Sequence, residues 1–172
     1  QTPSLAHFAP WLRRVRAMAP YQLAPEIEQM IAERAPTGSA AWVRLFDETT
    51  TSMRFPFQGR EVTEAEILDA LSHQESDVRA AAGQSLSTKL KSHERLLSLT
   101  LNTIAKDKQI EDGWRGFNRP VASRNLANDV DDEVVDALVA AVNGRNADLT
   151  HRYYQLKAKW MGTKQLNWWD RN

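Results

Sequence analysis

The chain has 172 residues, enough for one domain or one lobe of a larger body with a core of its own. Its 42% hydrophobic and 26% charged residues are ordinary for a soluble globular protein. Twenty-two basic residues balance twenty-two acidic ones, so no global field steers it to nucleic acid or to an anionic membrane. The absence of cysteine excludes disulfides and thiolate metal sites and fits a cytoplasmic location, and no stretch approaches the ~20 apolar residues of a membrane span.

Leu5, Phe8, Leu12 and Val15 recur at helical spacing, which predicts a packed helix rather than a transit peptide despite Arg13, Arg14 and Arg16. The first residue is Gln1, so the natural start is expected to lie upstream. Pro3, Pro10, Pro20, Pro25, Pro36 and Pro56 precede a long proline-free run to Pro120, which predicts short helices first and long ones later. Pro25 suits the first turn of a helix whose stripe is Leu23, Ile27, Met30 and Ile31, ending before Pro36. Ser39 can cap the next, with Trp42, Leu45, Phe46 and Thr49 on its buried face.

Residues 53–62 change period. Met53, Phe55 and Phe57 alternate with Arg54 and Pro56, then Gln58-Gly59 precede Val62, which reads as a short hairpin with Pro56 on an edge. Thr63-Glu64-Ala65-Glu66 is a capping-box sequence ahead of Ile67, Leu68 and Leu71. From Ser76, the residues Val78, Ala82, Leu86, Leu90, Leu97, Leu101 and Ile104 keep to helical rows. Unbroken to Asp107, that helix would be about 45 Å long at ~1.5 Å per residue. Asp112 to Val130 reads as irregular, after which Asp131 can cap a helix carrying Val134, Val135, Leu138 and Val142, closed by Gly144. The last helix has Leu149, Tyr153, Leu156 and Trp160 in register, Lys157 and Lys159 in its final turn, and Gly162 as its stop. The fold class is all-α, a single multi-helix lobe over residues 1–172 with at most one hairpin.

Chemistry is scarce. A zinc peptidase centre needs His-Glu-x-x-His on a helix, two imidazoles facing one metal and a carboxylate to activate its water. The nearest run is His93-Glu94-Arg95-Leu96-Leu97, where Leu97 stands in place of the second ligand. His7, His73 and His151 have no histidine partner at helical spacing. No metal site or catalytic residue is assigned. Asp129, Asp131, Asp132 and Glu133 sit at an expected helix start, where negative charge is stabilising, and read as capping rather than acid–base residues. Two basic-aromatic patches remain. One is the loop with Trp114, Arg115, Phe117, Arg119 and Arg124. The other is the C-terminal run with Arg152, Tyr153, Tyr154, Lys157, Lys159, Trp160, Lys164, Trp168, Trp169 and Arg171. Either has the composition of a single-strand nucleic-acid platform, but a local excess without a global one favours solvated lysines around packed aromatics, with no nucleic-acid and no membrane partner.

Several separated patches resemble the oligoendopeptidase F-type zinc metallopeptidases, in that family's order. They are Leu5-Ala6-His7 with Trp11 to Arg16 and Pro20; Pro36 to Trp42 with Leu45; Asp77-Val78-Arg79; and Leu101-Asn102 with Lys106-Asp107. Arg115-Gly116-Phe117 with Pro120 and Arg124 to Asn128 follows, then Tyr153, Leu156 to Lys159, Gly162, Leu166 and Trp169-Asp170. The resemblance implies the N-terminal, non-catalytic segment of a cytoplasmic peptidase that cleaves short peptides in a channel between helical lobes. Its zinc ligands would lie in a downstream catalytic domain, the expected partner of this chain, and map to no residue here. Channel-facing residues are expected at Arg115, Phe117, Arg119, Arg124 and Asn125. The missing domain would leave an apolar patch around Trp160, Trp168 and Trp169, larger than the few hundred Å2 usual for a monomer and open to self-association. A stand-alone helical interaction module, the alternative, would bury those tryptophans.

Overall fold

Residues 3–171 are described by a computed structural model. Gln1 and the side chain of Leu5, which begins the first expected stripe, lie outside the described residues. The fold is all-α with one two-stranded antiparallel hairpin among the described residues. It divides into two compact units: the chain up to Ser39 with Ala105–Gly144, and Ala40–Ile104 with the residues from Arg145 onward.

The first unit opens on a 3-10 turn, Pro3–Phe8, and α1 (Ala9–Met18), so the stripe expected on one helix is divided just before Pro10. Pro10 fits there because the first helical turn has no intrahelical use for its missing N–H. The stripe is not packed: Phe8, Trp11 and Val15 are exposed. α2 (Pro25–Arg34) starts on Pro25 as expected, with Glu26 and Glu28 in its first turn. Here also belong the end of α6 (Glu94–Arg115), α7 (Ala122–Ala127) and most of α8 (Asp132–Asn146). The supposedly irregular span 112–130 is therefore partly helical. Asp131 occupies the capping position of α8, its carbonyl accepting from the N–H groups of Val134 and Val135. Among its described residues this unit has no buried hydrophobic side chain at all.

The second unit holds the core. β1 (Phe55–Phe57) pairs with β2 (Arg60–Val62) in the register Phe55–Val62, Pro56–Glu61, Phe57–Arg60. Gln58 (φ 49) and Gly59 (φ 79) form the two-residue turn, both left-handed as a twist-matched hairpin requires. Ladder alternation puts Pro56 in a non-hydrogen-bonded pair, where it has no donor to lose. Both strands are edges, as Pro56 suggests, and the buried side of the hairpin contributes to the core. Phe55 and Val62 are 1% exposed and pack with Met53, Ile67, Leu71, Ala82 and Leu86.

α3 (Ser39–Ser52) leads into the hairpin, and of the face expected to be buried Trp42 and Thr49 are partly covered while Leu45 and Phe46 are exposed. α4 (Glu64–Ala70) carries the expected capping box: Thr63 N–H donates to Glu66 Oε2 at 2.8 Å, and Glu66 N–H donates to Thr63 Oγ1 at 3.4 Å. The Thr63 N–H, then Arg60 at 2.9 Å, hold the Glu66 carboxyl down at about 2.

The single long helix does not form. α5 (Ser76–Ser92) stops at His93 (φ −109, ψ 5) and α6 starts at Glu94. Ser92 Oγ donates to the Lys89 carbonyl at 2.7 Å, and His93 Nδ1 lies 3.0 Å from the same oxygen, so side chains take over what the next turn would have used. The His93 carbonyl then accepts from Leu97 N–H and begins α6. Helix α8 likewise overruns its expected stop. Gly144 is helical, and a π turn at Ala147–His151 leads directly into α9 (Arg152–Trp160). Gly162 (φ 65) ends α9 as expected, with Gly162 N–H on the Lys159 carbonyl and Thr163 N–H on that of Ala158, a Schellman closure.

Since Phe55 is fully enclosed, Phe55→Ala is expected to cost about 3–5 kcal/mol of unfolding free energy in urea titrations. Phe57→Ala, on the half-open end of the same strand, should cost clearly less; equal losses would show that the hairpin does not seed the core.

Candidate functional site

The five residues expected to face a channel all lie in the first unit. α6 ends in a Schellman closure at Gly116 (φ 81), with Gly116 N–H on the Gly113 carbonyl and Phe117 N–H on that of Asp112. The chain turns back there, and the Phe117 ring stacks on Tyr21, centroids 4.0 Å apart and planes within 7°. Arg115 grips Glu28 with both terminal nitrogens, at 2.6 and 2.9 Å. Its Nε donates to Glu111 at 2.8 Å and Nη1 to the Tyr21 carbonyl at 3.2 Å. These groups border a cleft of about 480 Å3 with Lys108 and Asp112.

Arg119 donates to Asp132 at 3.0 Å and to both oxygens of Asp136, at 3.0 and 2.7 Å. Asn125, 6% exposed, donates from Nδ2 to Asp132 at 2.7 Å. Asp132 is thus a structural acceptor. Asp129 takes the left-handed position (φ 56) that closes α7, its N–H on the Leu126 carbonyl and Val130 N–H on that of Asn125. Arg124 is exposed and has no side-chain partner among the described residues. The structure brings Arg115 with Phe117, and Arg119 with Asn125, into two clips, each with one guanidinium held between two carboxylates.

The chemistry of the first clip is that of a bidentate ion pair. Hydrogen bonds from Arg115, then from the Leu23 N–H, hold the Glu28 carboxyl down at about 2. Arg119 lowers Asp136 in the same sense. In both clips the carboxylates act as acceptors from a guanidinium.

The His93–Leu97 run does not form a zinc centre. His93 sits in the break between α5 and α6, and Leu97, in the place of a second ligand, packs against the core. Among the described residues no group of three or more His, Asp or Glu side chains is placed to hold a metal.

The second unit contains a groove that sequence reasoning only half-located. Past Gly162 the chain folds back along α9. Asn167 N–H donates to Asp170 Oδ2 at 3.0 Å, closing a 3-10 turn at Trp168–Asp170. Asp170 is anchored by Arg79, Nη2 to Oδ1 at 2.8 Å, with both side chains under a tenth exposed. Burial works to raise the Asp170 pKa, but hydrogen bonds from Arg79 and Asn167 outweigh it and leave the carboxyl below its ordinary value. Two segments that carry the family resemblance, Asp77 to Arg79 and Trp169-Asp170, meet in this pair. Trp169 is half-buried on the core, contrary to the expected open patch, while Trp160 and Trp168 are 71% and 51% exposed. Between α9 and the returning segment lies a groove of about 710 Å3 that includes His151, Tyr154, Lys164, Leu166, Trp168 and Arg171. The basic-aromatic composition pointed here; His151 did not, because its isolation in sequence hides that the π turn ends on it.

Comparisons with known proteins place this geometry. Residues 1–55 match the family model described as Oligopeptidase F. A crystal structure of oligoendopeptidase-F from Enterococcus faecium superposes with a TM-score of 0.83 at 20% identity, over 98% of this chain and 34% of that one. A putative peptidase from Chlamydophila abortus gives 0.83 at 14% identity, over 99% of this chain and 29% of that one. The chain thus spans about a third of the length of the solved structures it matches. No curated protein matches it. Among the described residues, no helix is long and apolar enough to cross a membrane.

Two measurements probe the site. A carboxyl held at about 2 against an ordinary 4.5 stabilises the fold fully above about pH 4.5 and loses that contribution as pH falls towards 2. Melts of wild type and Glu28→Gln are therefore expected to differ above pH 4.5 and to converge towards pH 2; a constant gap would remove the clip's role. In α5, Gly83→Ala should gain ~1 kcal/mol from helix propensity alone. A Cβ there would sit 2.9 Å from Trp169 Cε3 and 3.2 Å from its Cβ, so the variant is expected to lose about 1–3 kcal/mol. A raised Tm would show that Trp169 is not seated on the helix.

Proposed function

We propose that the chain is the N-terminal helical segment of an oligoendopeptidase-type peptidase, a wall of the channel in which the parent hydrolyses short peptides with zinc. What carries the reading is the likeness of almost the whole chain to one part of two much longer peptidase folds, together with the family match over its first third. Fold likeness alone does not transfer activity, so the burial pattern matters as independent support. The first unit has no apolar core among its described residues, yet Trp11, Val134, Leu138 and Val142 are all exposed. Such faces suit a segment that the remaining parent covers, its downstream catalytic domain above all.

In this reading zinc and its ligands belong to that downstream domain, and this chain contributes shape. Of the five channel residues, Arg124 is the one free to meet peptide directly; Arg115, Phe117, Arg119 and Asn125 hold the segment around α7 that presents it. The parent is cytoplasmic, a setting that a cysteine-free chain suits. A stand-alone interaction module would have enclosed its tryptophans, and the exposure of Trp160 and Trp168 weighs against it. Those same rings give the isolated chain a surface for self-association.

The purified chain is expected to leave a fluorogenic oligopeptide uncut with ZnCl2 present, and the reading frame that encodes it to carry His-Glu-x-x-His beyond residue 172. Chelator-sensitive turnover by the chain alone, or a frame that closes without the motif, would overturn the proposal.

A further inference from the structure

We infer that the groove between α9 and the returning segment binds the free C-terminal carboxylate of a short peptide whose last residue is large and apolar. Its volume of about 710 Å3 lies within the range of small-ligand sites. Tyr154, Leu166 and Trp168 offer apolar wall, while His151, Lys164 and Arg171 bring three basic groups to the rim.

Among the described residues, no side-chain carboxylate lines this groove. The nearest in sequence, Asp170, is 3% exposed and already committed on both oxygens, Oδ1 to Arg79 and Oδ2 to Asn167, so it does not neutralise the rim. None of His151, Lys164 and Arg171 makes a salt bridge among the described residues. That contrasts with Arg115 and Arg119, each satisfied by two acids. In a chain of zero net charge, a cationic excess beside an apolar wall is complementary to one anion attached to one bulky group. A carboxylate accepts two parallel N–H bonds from a guanidinium and a point charge from an ammonium. Nucleic acid would need a track that meets successive phosphates and bases, and the groove offers a single pocket.

The charge and the apolar group follow from the groove alone; that the ligand is a peptide rests on the peptidase reading above. The test is NMR on the 172-residue chain, following the Trp168 indole N–H, assigned with Trp168→Phe. N-acetyl-Ala-Phe is expected to shift that signal saturably, and its C-terminal amide to bind about tenfold more weakly or less, as for one lost charge-assisted contact. Lys164→Gln with Arg171→Gln should lose a comparable factor at unchanged Tm, since neither side chain is buried or ion-paired. Lys164→Arg alone should retain binding. Equal binding of acid and amide, or no binding of either, would overturn the carboxylate site. Phenylpropionate binding as tightly as the dipeptide would overturn the peptide assignment while leaving the groove's chemistry intact. Displacement of the dipeptide by oligodeoxythymidine would overturn it in favour of nucleic acid. None of these outcomes depends on whether the reading frame carries the zinc motif, so the two proposals can fail separately.

Discussion

The pair between Arg79 and Asp170 is the constraint on which the second unit depends. An isolated buried charge is strongly unfavourable, and a buried pair is tolerated only when its remaining donors and acceptors are satisfied. Arg79 meets that condition by giving Nη1 to the carbonyls of His73 and Gln74, both at 2.8 Å. Asp170 meets it through Asn167. One residue of α5 therefore fixes both the turn ahead of its own helix and a turn more than ninety residues later, with only Arg79 Nε left without a partner. With Asp170 held, Trp169 and the Cζ2 edge of Trp168 are seated on Gly83, and the rest of the Trp168 ring is left exposed in the groove. The groove wall is a consequence of the anchor, not of contacts along the groove itself.

Charge is distributed to different ends in the two units. In the first, Arg115 and Arg119 are spent on Glu28, Glu111, Asp132 and Asp136, and the Tyr21–Phe117 stack closes the same loop. These interactions are directional, so they fix geometry well, and partly exposed ones add little net stability. In the second, hydrophobic burial around Phe55, Val62 and Ile67 supplies stability, and Lys164 and Arg171 enter none of the ion pairs among the described residues. A functional surface can carry unpaired charge only where something else holds the fold.

Local signals are legible in the sequence. Thr63 and Glu66 announce a helix start through their own hydrogen bonds, Gln58-Gly59 announces a hairpin turn, and Gly162 a left-handed stop. Each works within a few residues, so no tertiary information is needed. The failures share a cause. The end of α5 rests on Ser92 and His93 side chains competing for one carbonyl, with no glycine or proline to mark it. Gly144 looked like a stop because glycine is permissive, yet permissiveness also lets it stay helical. Periodicity located the apolar faces of α1, α3 and α8 but could not say what lies on them; Leu45, Phe46 and Val134 are regular in spacing and open to solvent. The buried pair joins residues too far apart for any pattern to link.

That last failure bears on function. Apolar periodicity is a statement about a face that something must cover, and in the first unit the described residues do not supply the cover. Asn125 is its one buried residue among those described, and it is polar. A body of this size held by ion pairs and one aromatic stack lacks the burial that normally offsets chain entropy. The second unit, with its enclosed phenylalanine and isoleucine, does not share the deficit. An asymmetry of this kind is expected when one part of a sequence carries its own core and another contributes a face to a larger assembly. It is the physical support for the proposal that α1 and α8 present faces to a larger assembly, while the hairpin and α5 carry a core of their own.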